Sequence, residues 1–404
     1  MLNINQRTGK VSPQKLLLRM TNDILTSLDK GNAVLLVTLD ISAAFDTVNH
    51  RMLLDRYQSY FGIEGTALKW LASYLSDRKH SVRIGREESL QKSVECGFAQ
   101  GSVLGGPKYN MFTSPIEELI DLHELNSKSY ADDTNVYQSF DIKDGSALPT
   151  AQIENCLGDV SKWMIQNRLM LNPGKTEAIL FLPKSQLKHF PLESLQIRVG
   201  TSVIHPVVEI KSLGVILDSA MTMEQHISSV TSSAWCQLRR ISWVRHKITR
   251  TVAETLVNAL VTNKIDYCNS LLAQLPQKAC KKLQRLQNAA AKTICKLRKF
   301  DHVTPSLKQL HWLPIKVRSN YKVLVLTYKS LHGKAPSYLS ELLNNQWNLR
   351  SNNVITLRTS SNPRTQYGKS FLLSRSTFME FASSTCSILR NTGFLQEELK
   401  NSLL

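Results

Sequence analysis

Seven consecutive residues, Ala33 to Leu39 (AVLLVTL), carry no charge, and most of them are branched. A run of that length and composition suits a strand covered on both faces, since a strand with one wet face would alternate polar and apolar residues. The run stops at Asp40, so a carboxylate sits at the end of a dry strand.

Further along, residues 65–79 show helical periodicity, SVRIG at 81–85 reads as another strand, and a helical stretch from Val160 to Leu171 precedes an NPGK turn. Ser127 to Gln138 (SKSYADDTNVYQ) reads as two short strands around a tight turn holding Asp132 and Asp133. Aspartates bond neighbouring amides and tolerate turn dihedrals, so turn chemistry alone explains such a pair. The flanks point further. Tyr130 and Ala131 on one side and Thr134 to Tyr137 on the other make an apolar hairpin with its charges at the tip, and Asp40 supplies a second strand-terminal acid. Clustered carboxylates stay ionised when something positive joins them, and hard divalent cations with oxygen ligands are the usual answer. Two such ions about 3.5–4 Å apart activate an attacking hydroxyl and stabilise the leaving oxygens of a phosphoryl displacement.

Charge is distributed unevenly over the 404 residues. The chain carries +18 in total, yet residues 1–225 hold 23 Lys and Arg against 25 Asp and Glu, while residues 226–404 hold 27 against 7. A field of that sign attracts nucleic acid, an anionic membrane surface or an acidic protein tail. In this half, Ile227, Val230, Ala234, Leu238 and Ile241 recur three or four apart, as do Ala279, Leu283, Leu286, Ala290, Ile294 and Leu297. These are amphipathic helices. Their other faces carry Arg239, Arg240, Arg245, Lys247 and Arg250, then Lys278, Lys281, Lys282, Arg285, Lys292, Lys296, Arg298 and Lys299. Merely solvated faces usually mix both signs, and no acid stands between Asp266 and Asp301. No stretch approaches the roughly 18 uninterrupted apolar residues of a membrane span, and the N-terminus lacks a signal-peptide core. An intracellular protein of the nucleus or cytoplasm is expected. Seven scattered cysteines without a CxxC pair indicate neither a disulfide framework nor a zinc site.

Five segments occur in an order and spacing that resemble a known family: LLVTLDISAAFDTVNH (35–50), GFAQGSVLGGPKYNMF (97–112), SYADDTNVY (129–137), LMLNPGKTEAILF (169–181) and SLGVILD (212–218). They resemble the reverse transcriptases of LINE-type, non-LTR retrotransposons of the jockey-like group, over about residues 16–364.

The resemblance implies a role for each matching residue. Asp40, Asp132 and Asp133 would be catalytic acids and ligands of two Mg2+ ions, with Mn2+ as a substitute, and Ile41 would offer its backbone carbonyl. Phe45 matches the aromatic position under the sugar of the incoming nucleotide, where a ring leaves no room for a 2′-hydroxyl; core packing is the alternative. Gln100 and Gly101 would lie against the nucleotide and the nucleic-acid backbone, glycine permitting close approach. Lys175 matches the lysine that approaches the triphosphate; a solvated surface charge is the alternative. The basic helices resemble a thumb gripping the template and primer duplex, with Arg239, Arg240, Lys281, Lys282, Arg285 and Lys292 as phosphate contacts.

Some features depart from the family. Only 39 residues precede Asp40, so an N-terminal truncation with reduced fingers is expected. Ala99 stands where proline is usual, GGPKYNMF replaces a more apolar run, and the pattern fades from Thr365 onward. The expected architecture is α+β: a fingers remnant over 1–30, a right-hand polymerase palm with an antiparallel sheet, packed helices and reduced fingers over 31–225, an all-helical basic thumb over 226–345, and a poorly defined tail over 346–404. The expected function is RNA-directed DNA polymerase, acting on an RNA template, a DNA primer and deoxynucleoside triphosphates. A catalytically inactive relic that only binds nucleic acid is the alternative, and a membrane-surface protein leaves the five ordered motifs without an explanation.

Overall fold

The computed structural model describes residues 12–343, apart from 43, 99–100, 143–148, 184–185, 187–189, 191–194, 201 and 274. Ala99, Gln100 and the tail expected over 346–404 therefore lie outside the described residues, as do the first eleven. Helix α1 (Pro13–Asp29) opens the described chain, with proline in its first turn, where no amide donor is required. Residues 31–212 form one compact unit; 12–30 and those after 212 form another.

The first unit is built on β1 (Ala33–Leu39). Then come β2 (Ile41–Ser42), α2 (His50–Ser59), α3 (Gly65–Leu75), four two-residue strands β3 (Lys79–His80), β4 (Arg83–Ile84), β5 (Glu87–Glu88) and β6 (Lys92–Ser93), α4 (Gly105–Thr113) and α5 (Pro115–Leu122). The hairpin β7 (Asn126–Tyr130) and β8 (Asp133–Phe140) follows, then α6 (Thr150–Gln166), β9 (Met170–Leu171), β10 (Glu177–Phe181), β11 (Ile197–Val199), β12 (Ser202–Ile204), β13 (Pro206–Val207) and β14 (Glu209–Ser212). Five strands form one sheet in the order β13-β10-β1-β8-β7. It is antiparallel except for the short parallel pairing of β10 with β13.

The dry run is the central strand. Ala33, Leu35, Val37 and Leu39 pack on one face with Tyr109, Phe112, Ile153 and Val160 from the helices, while Val34 and Leu36 on the opposite face are also buried. Helix α2 is held to this layer by Arg56, whose guanidinium lies 5.1 Å from the ring centroids of both Phe112 and Trp163. It donates to the Phe112 carbonyl at 2.7 Å and to Asn167 Oδ1 at 2.6 Å.

Two local expectations need correction. The helix expected to run to Leu171 ends at Gln166, because Arg168 turns into the left-handed region (φ 59°) and the chain re-enters as β9. The strand expected over 81–85 shrinks to Arg83–Ile84, a solvent-exposed rung whose partner Glu87–Glu88 returns just past a turn at Gly85 (φ 64°). With Ile84 78% exposed, no core fixes a longer strand there.

In the GGPKYNMF segment, Lys108 is only 3% exposed, and its Nζ has no hydrogen-bond partner among the described residues. Its ammonium lies 3.3 Å from the Tyr74 ring centroid. Burial, with a smaller contribution from nearby Arg78, lowers its pKa to about 8. Cation–π attraction therefore offsets only part of the desolvation cost. Replacing it with leucine is expected to stabilise the protein by about 2 kcal/mol at pH 7. Because the folded pKa lies below the unfolded value, the penalty is complete below pH 8 and fades as pH rises towards the lysine range. Urea melts at pH 7 and pH 10 check this: Lys108→Leu gains most at pH 7, and an equal gain at both pH values contradicts the account.

The second unit is helical apart from β15 (Val215–Asp218): α7 (Glu224–Val244), α8 (Arg250–Val257), a π turn at Asn258–Thr262, α9 (Asn263–Asp266), α10 (Gln277–Cys295), α11 (Thr304–Gln309), α12 (Ile315–Leu331) and α13 (Ser337–Ser340). The Asp218 carboxylate accepts from the amides of Thr222 and Met223 and orders the entry to α7. Ile227, Ala234, Leu238 and Ile241 of α7 are buried, as are Ala279, Leu283, Leu286, Ala290 and Ile294 of α10, matching their periodicity. Arg245, expected on the basic face, is instead buried at 8% exposure and donates to the carbonyls of Thr293, Ile294 and Ile248. A cation at those carbonyls closes the C-terminal end of α10 and favours its dipole. Helix α1 belongs to this unit: Leu18 packs with Val323, Leu326 and Leu339, and Arg19 donates to the Tyr338 carbonyl.

Candidate active site

Register brings the acids together. In the β1–β8 ladder Leu39 faces Thr134, so one step further Asp40 stands across from Asp133, the first residue of β8. Asp132 lies in the two-residue turn after Tyr130, whose partner is Asp133. Such tight hairpins need a residue at positive φ, and Ala131 takes that conformation at φ 54°. All three acids are half-buried. Burial, then the charge of Asp132, then that of Asp40 raise the Asp133 pKa above the usual carboxylate value. Asp132 and Asp40 therefore act on Asp133 electrostatically. Among the described residues no group of three or more His, Cys, Asp or Glu side chains is arranged to hold a metal ion, and Asp40, at the end of its strand, is 32% exposed. A set of carboxylates carrying mutual repulsion suits a hard divalent cation by its donor chemistry.

Lys175 reaches this cluster through a second ladder. Ile41 pairs with Leu171, and the Asn172 amide donates to the Asp40 carbonyl at 2.9 Å. The Asn172 carbonyl then accepts from Lys175 N and Thr176 N, a compact turn that sets Lys175 Nζ 3.9 Å from Asp40 Oδ2. With its side chain 71% exposed, Lys175 keeps an ammonium available at the mouth of the acidic cluster. Because Asn172 bonds to residue 40, the Ile41–Leu171 pair is of the non-hydrogen-bonded kind, and the Ile41 carbonyl points away from β9.

Phe45 stacks on Tyr109 with ring centroids 4.8 Å apart. Tyr109 is fully buried in α4, its hydroxyl has no hydrogen-bond partner among the described residues, and burial followed by the Asp132 charge raises its pKa. No local sequence signal marks this support, since the two rings are brought together by tertiary packing. The backbone around Phe45 is clamped as well. Phe98 N–H donates to the Phe45 carbonyl at 3.0 Å, Gly97 N–H donates to Val48 at 2.8 Å, and His50 Nε2 lies 2.8 Å from the Gly97 carbonyl. Gly97 and Phe98 are thus tied to the turn carrying Phe45. Gly101 itself is exposed, with φ 79°, and Gln100 lies outside the described residues.

On the helical unit, Arg239, Arg240, Lys281, Lys282 and Arg285 occupy exposed positions. Lys292 folds back to donate to the Lys299 carbonyl at 2.6 Å. No helix among the described residues is long and apolar enough to cross a membrane.

An antiparallel sheet with paired acids in a hairpin tip and a third acid on the adjacent strand defines a palm of the polymerase kind. The chain belongs to the reverse transcriptase (RNA-dependent DNA polymerase) family, whose model matches residues 3–217. It is 28% identical over 232 residues to the RNA-directed DNA polymerase from mobile element jockey of Drosophila funebris, covering 56% of this chain and 24% of that protein. Against the Drosophila melanogaster counterpart the figures are 28% over 233 residues, 56% and 24%. The chain thus spans about a quarter of the length of the curated relatives it matches. Among solved structures it is similar to apo telomerase from Candida tropicalis, with TM-score 0.42 and 12% identity over 84% of this chain and 58% of that one. Telomerase from Candida albicans with a fragment of telomeric RNA gives TM-score 0.39 and 11% identity over 76% and 52%.

Proposed function

We propose that this chain adds deoxynucleotides to the 3′ end of a DNA primer on an RNA template, with Asp40, Asp132 and Asp133 holding two Mg2+ ions. The observation that carries this reading is the register that sets Asp40 across from Asp133 and next to the Asp132 turn, where both charges raise the Asp133 pKa, with Lys175 Nζ 3.9 Å from Asp40. When bound, the ions supply activation of the primer hydroxyl and charge neutralisation at the transferring phosphoryl group. Lys175 adds a positive charge, and a proton source, where pyrophosphate departs. Phe45, braced by Tyr109, closes the space a ribose 2′-hydroxyl needs. The exposed cations of α7 and α10 bind phosphates of the template and primer, with affinity that falls steeply as salt rises. Descent from a LINE-type retrotransposon agrees with the jockey relatives.

A metal titration tests the ion-binding part. Without cation, the raised folded pKa of Asp133 makes this group destabilising at neutral pH and relieves it as pH falls through the carboxylate range. Adding Mg2+ or Mn2+ at pH 7 is expected to raise the Tm of the wild type and to leave that of Asp132→Asn nearly unmoved. Equal shifts in both proteins would show that the ions bind elsewhere.

A further inference from the structure

Helix α7 sends Ile227, Ala234, Leu238 and Ile241 into the core of its unit, yet its outer side is not simply polar. Trp235 is 40% exposed and Trp243 is 70% exposed. Arg239 lies midway between them, also exposed. Spacing of four residues sets the three side chains along one stripe, and a rise of 1.5 Å per residue separates the two indoles by about 12 Å along the axis. Large aromatic surface left in water is costly, so two indoles in register with a cation mark a face that something covers.

Charge decides what that is. Arg240 adjoins the stripe, and Glu224 at the start of α7 is the helix's sole acid. The tail after residue 343 carries seven Lys and Arg against three Glu and is repelled, as is the cationic half of a second copy, while the near-neutral half of a second copy gains little from this charge. A polyanion is attracted. Among polyanions, single-stranded nucleic acid offers bases to stack on indoles and phosphates to pair with a guanidinium; in a duplex the base faces are already stacked inside. For a strand drawn out from its stacked 3.4 Å repeat to roughly 6 Å per nucleotide, about 12 Å spans two nucleotide steps.

We propose that Trp235, Arg239 and Trp243 form a stacking platform for an unpaired stretch of nucleic acid, the two indoles taking bases two positions apart and Arg239 a phosphate between them. The proposal deepens the nucleic-acid reading of the helical unit and rests on it, but it requires no polymerisation, so failure of primer extension leaves it standing.

The test uses the full chain and fluorescence anisotropy with short labelled oligonucleotides: single-stranded RNA, single-stranded DNA and a blunt duplex. Trp243→Leu is expected to weaken single-strand binding about tenfold and Trp235→Leu/Trp243→Leu about a hundredfold, with duplex binding within about twofold. Trp243→Phe, which keeps a stacking face, restores most of the single-strand affinity, and Arg239→Gln reduces the salt slope by about one. Trp243 is largely exposed, so its single variant keeps the fold even if the double variant does not. Equal loss on single strand and duplex, no loss on either, or unchanged oligonucleotide binding together with weaker pelleting on phosphatidylserine vesicles or an altered oligomeric state would each overturn the proposal.

Discussion

Primer extension by Asp132→Asn is expected to fall by roughly a thousandfold or more, while its melting temperature in metal-free buffer stays level or rises. Both effects have one origin. Asp132 is the second cause, after burial, of the raised Asp133 pKa, and Asp40 is the third. Removing one charge from three half-buried carboxylates relieves repulsion in the folded chain, so the site gains stability when no cation is present. Asparagine keeps the shape of the turn but cannot supply the anionic oxygen that a hard cation needs. Activity and metal-free stability should therefore move in opposite directions. A variant that loses both has simply lost its fold, which thermal melts and extension assays on the same preparation distinguish.

The second large effect is expected at Gly97. Its φ of 81° lies in the left-handed region, and a Cβ there would meet Asp46 backbone atoms at 2.7, 2.9 and 3.0 Å. Because the obstacle is backbone, no rotamer change relieves it. Left-handed strain together with forced separation is expected to cost Gly97→Ala about 3 kcal/mol, seen as a lower urea midpoint. The displaced segment is the one bonded to Phe45 and Val48, so surviving folded protein should also discriminate less well against ribonucleotides. Gly101→Ala provides the comparison, because among the described residues no atom beyond its chain neighbours lies within 4 Å of its Cβ position, and the φ penalty dominates.

The strand Ala33–Leu39 and the hairpin carrying Asp132 and Asp133 were legible because each has a strong local signal: an unbroken apolar run in one case, alternating residues around turn-forming acids in the other. The faces of α7 and α10 were legible for the same reason, and their apolar positions are buried where the period puts them. The features without a local signal depend on contacts distant in sequence. Nothing near Tyr109 indicates that it lies under Phe45, and a lysine at 108 carries no mark of burial. Arg245 belongs by composition to a basic stripe, yet three carbonyls draw it inward. Helix α1 precedes the palm in sequence but packs with α12 and α13, which local periodicity does not encode. The early end of α6 at Gln166 turned on the left-handed Arg168, a conformation that arginine rarely takes without tertiary cause.

The most direct measurement is extension of a labelled DNA primer on an RNA template by the purified chain, with and without magnesium. The account predicts added deoxynucleotides only when Mg2+ or Mn2+ is present, sensitivity to salt, and poor use of ribonucleotides. Salt-sensitive binding of the same primer and template with no extension at any magnesium concentration would contradict it and leave a chain that only binds nucleic acid.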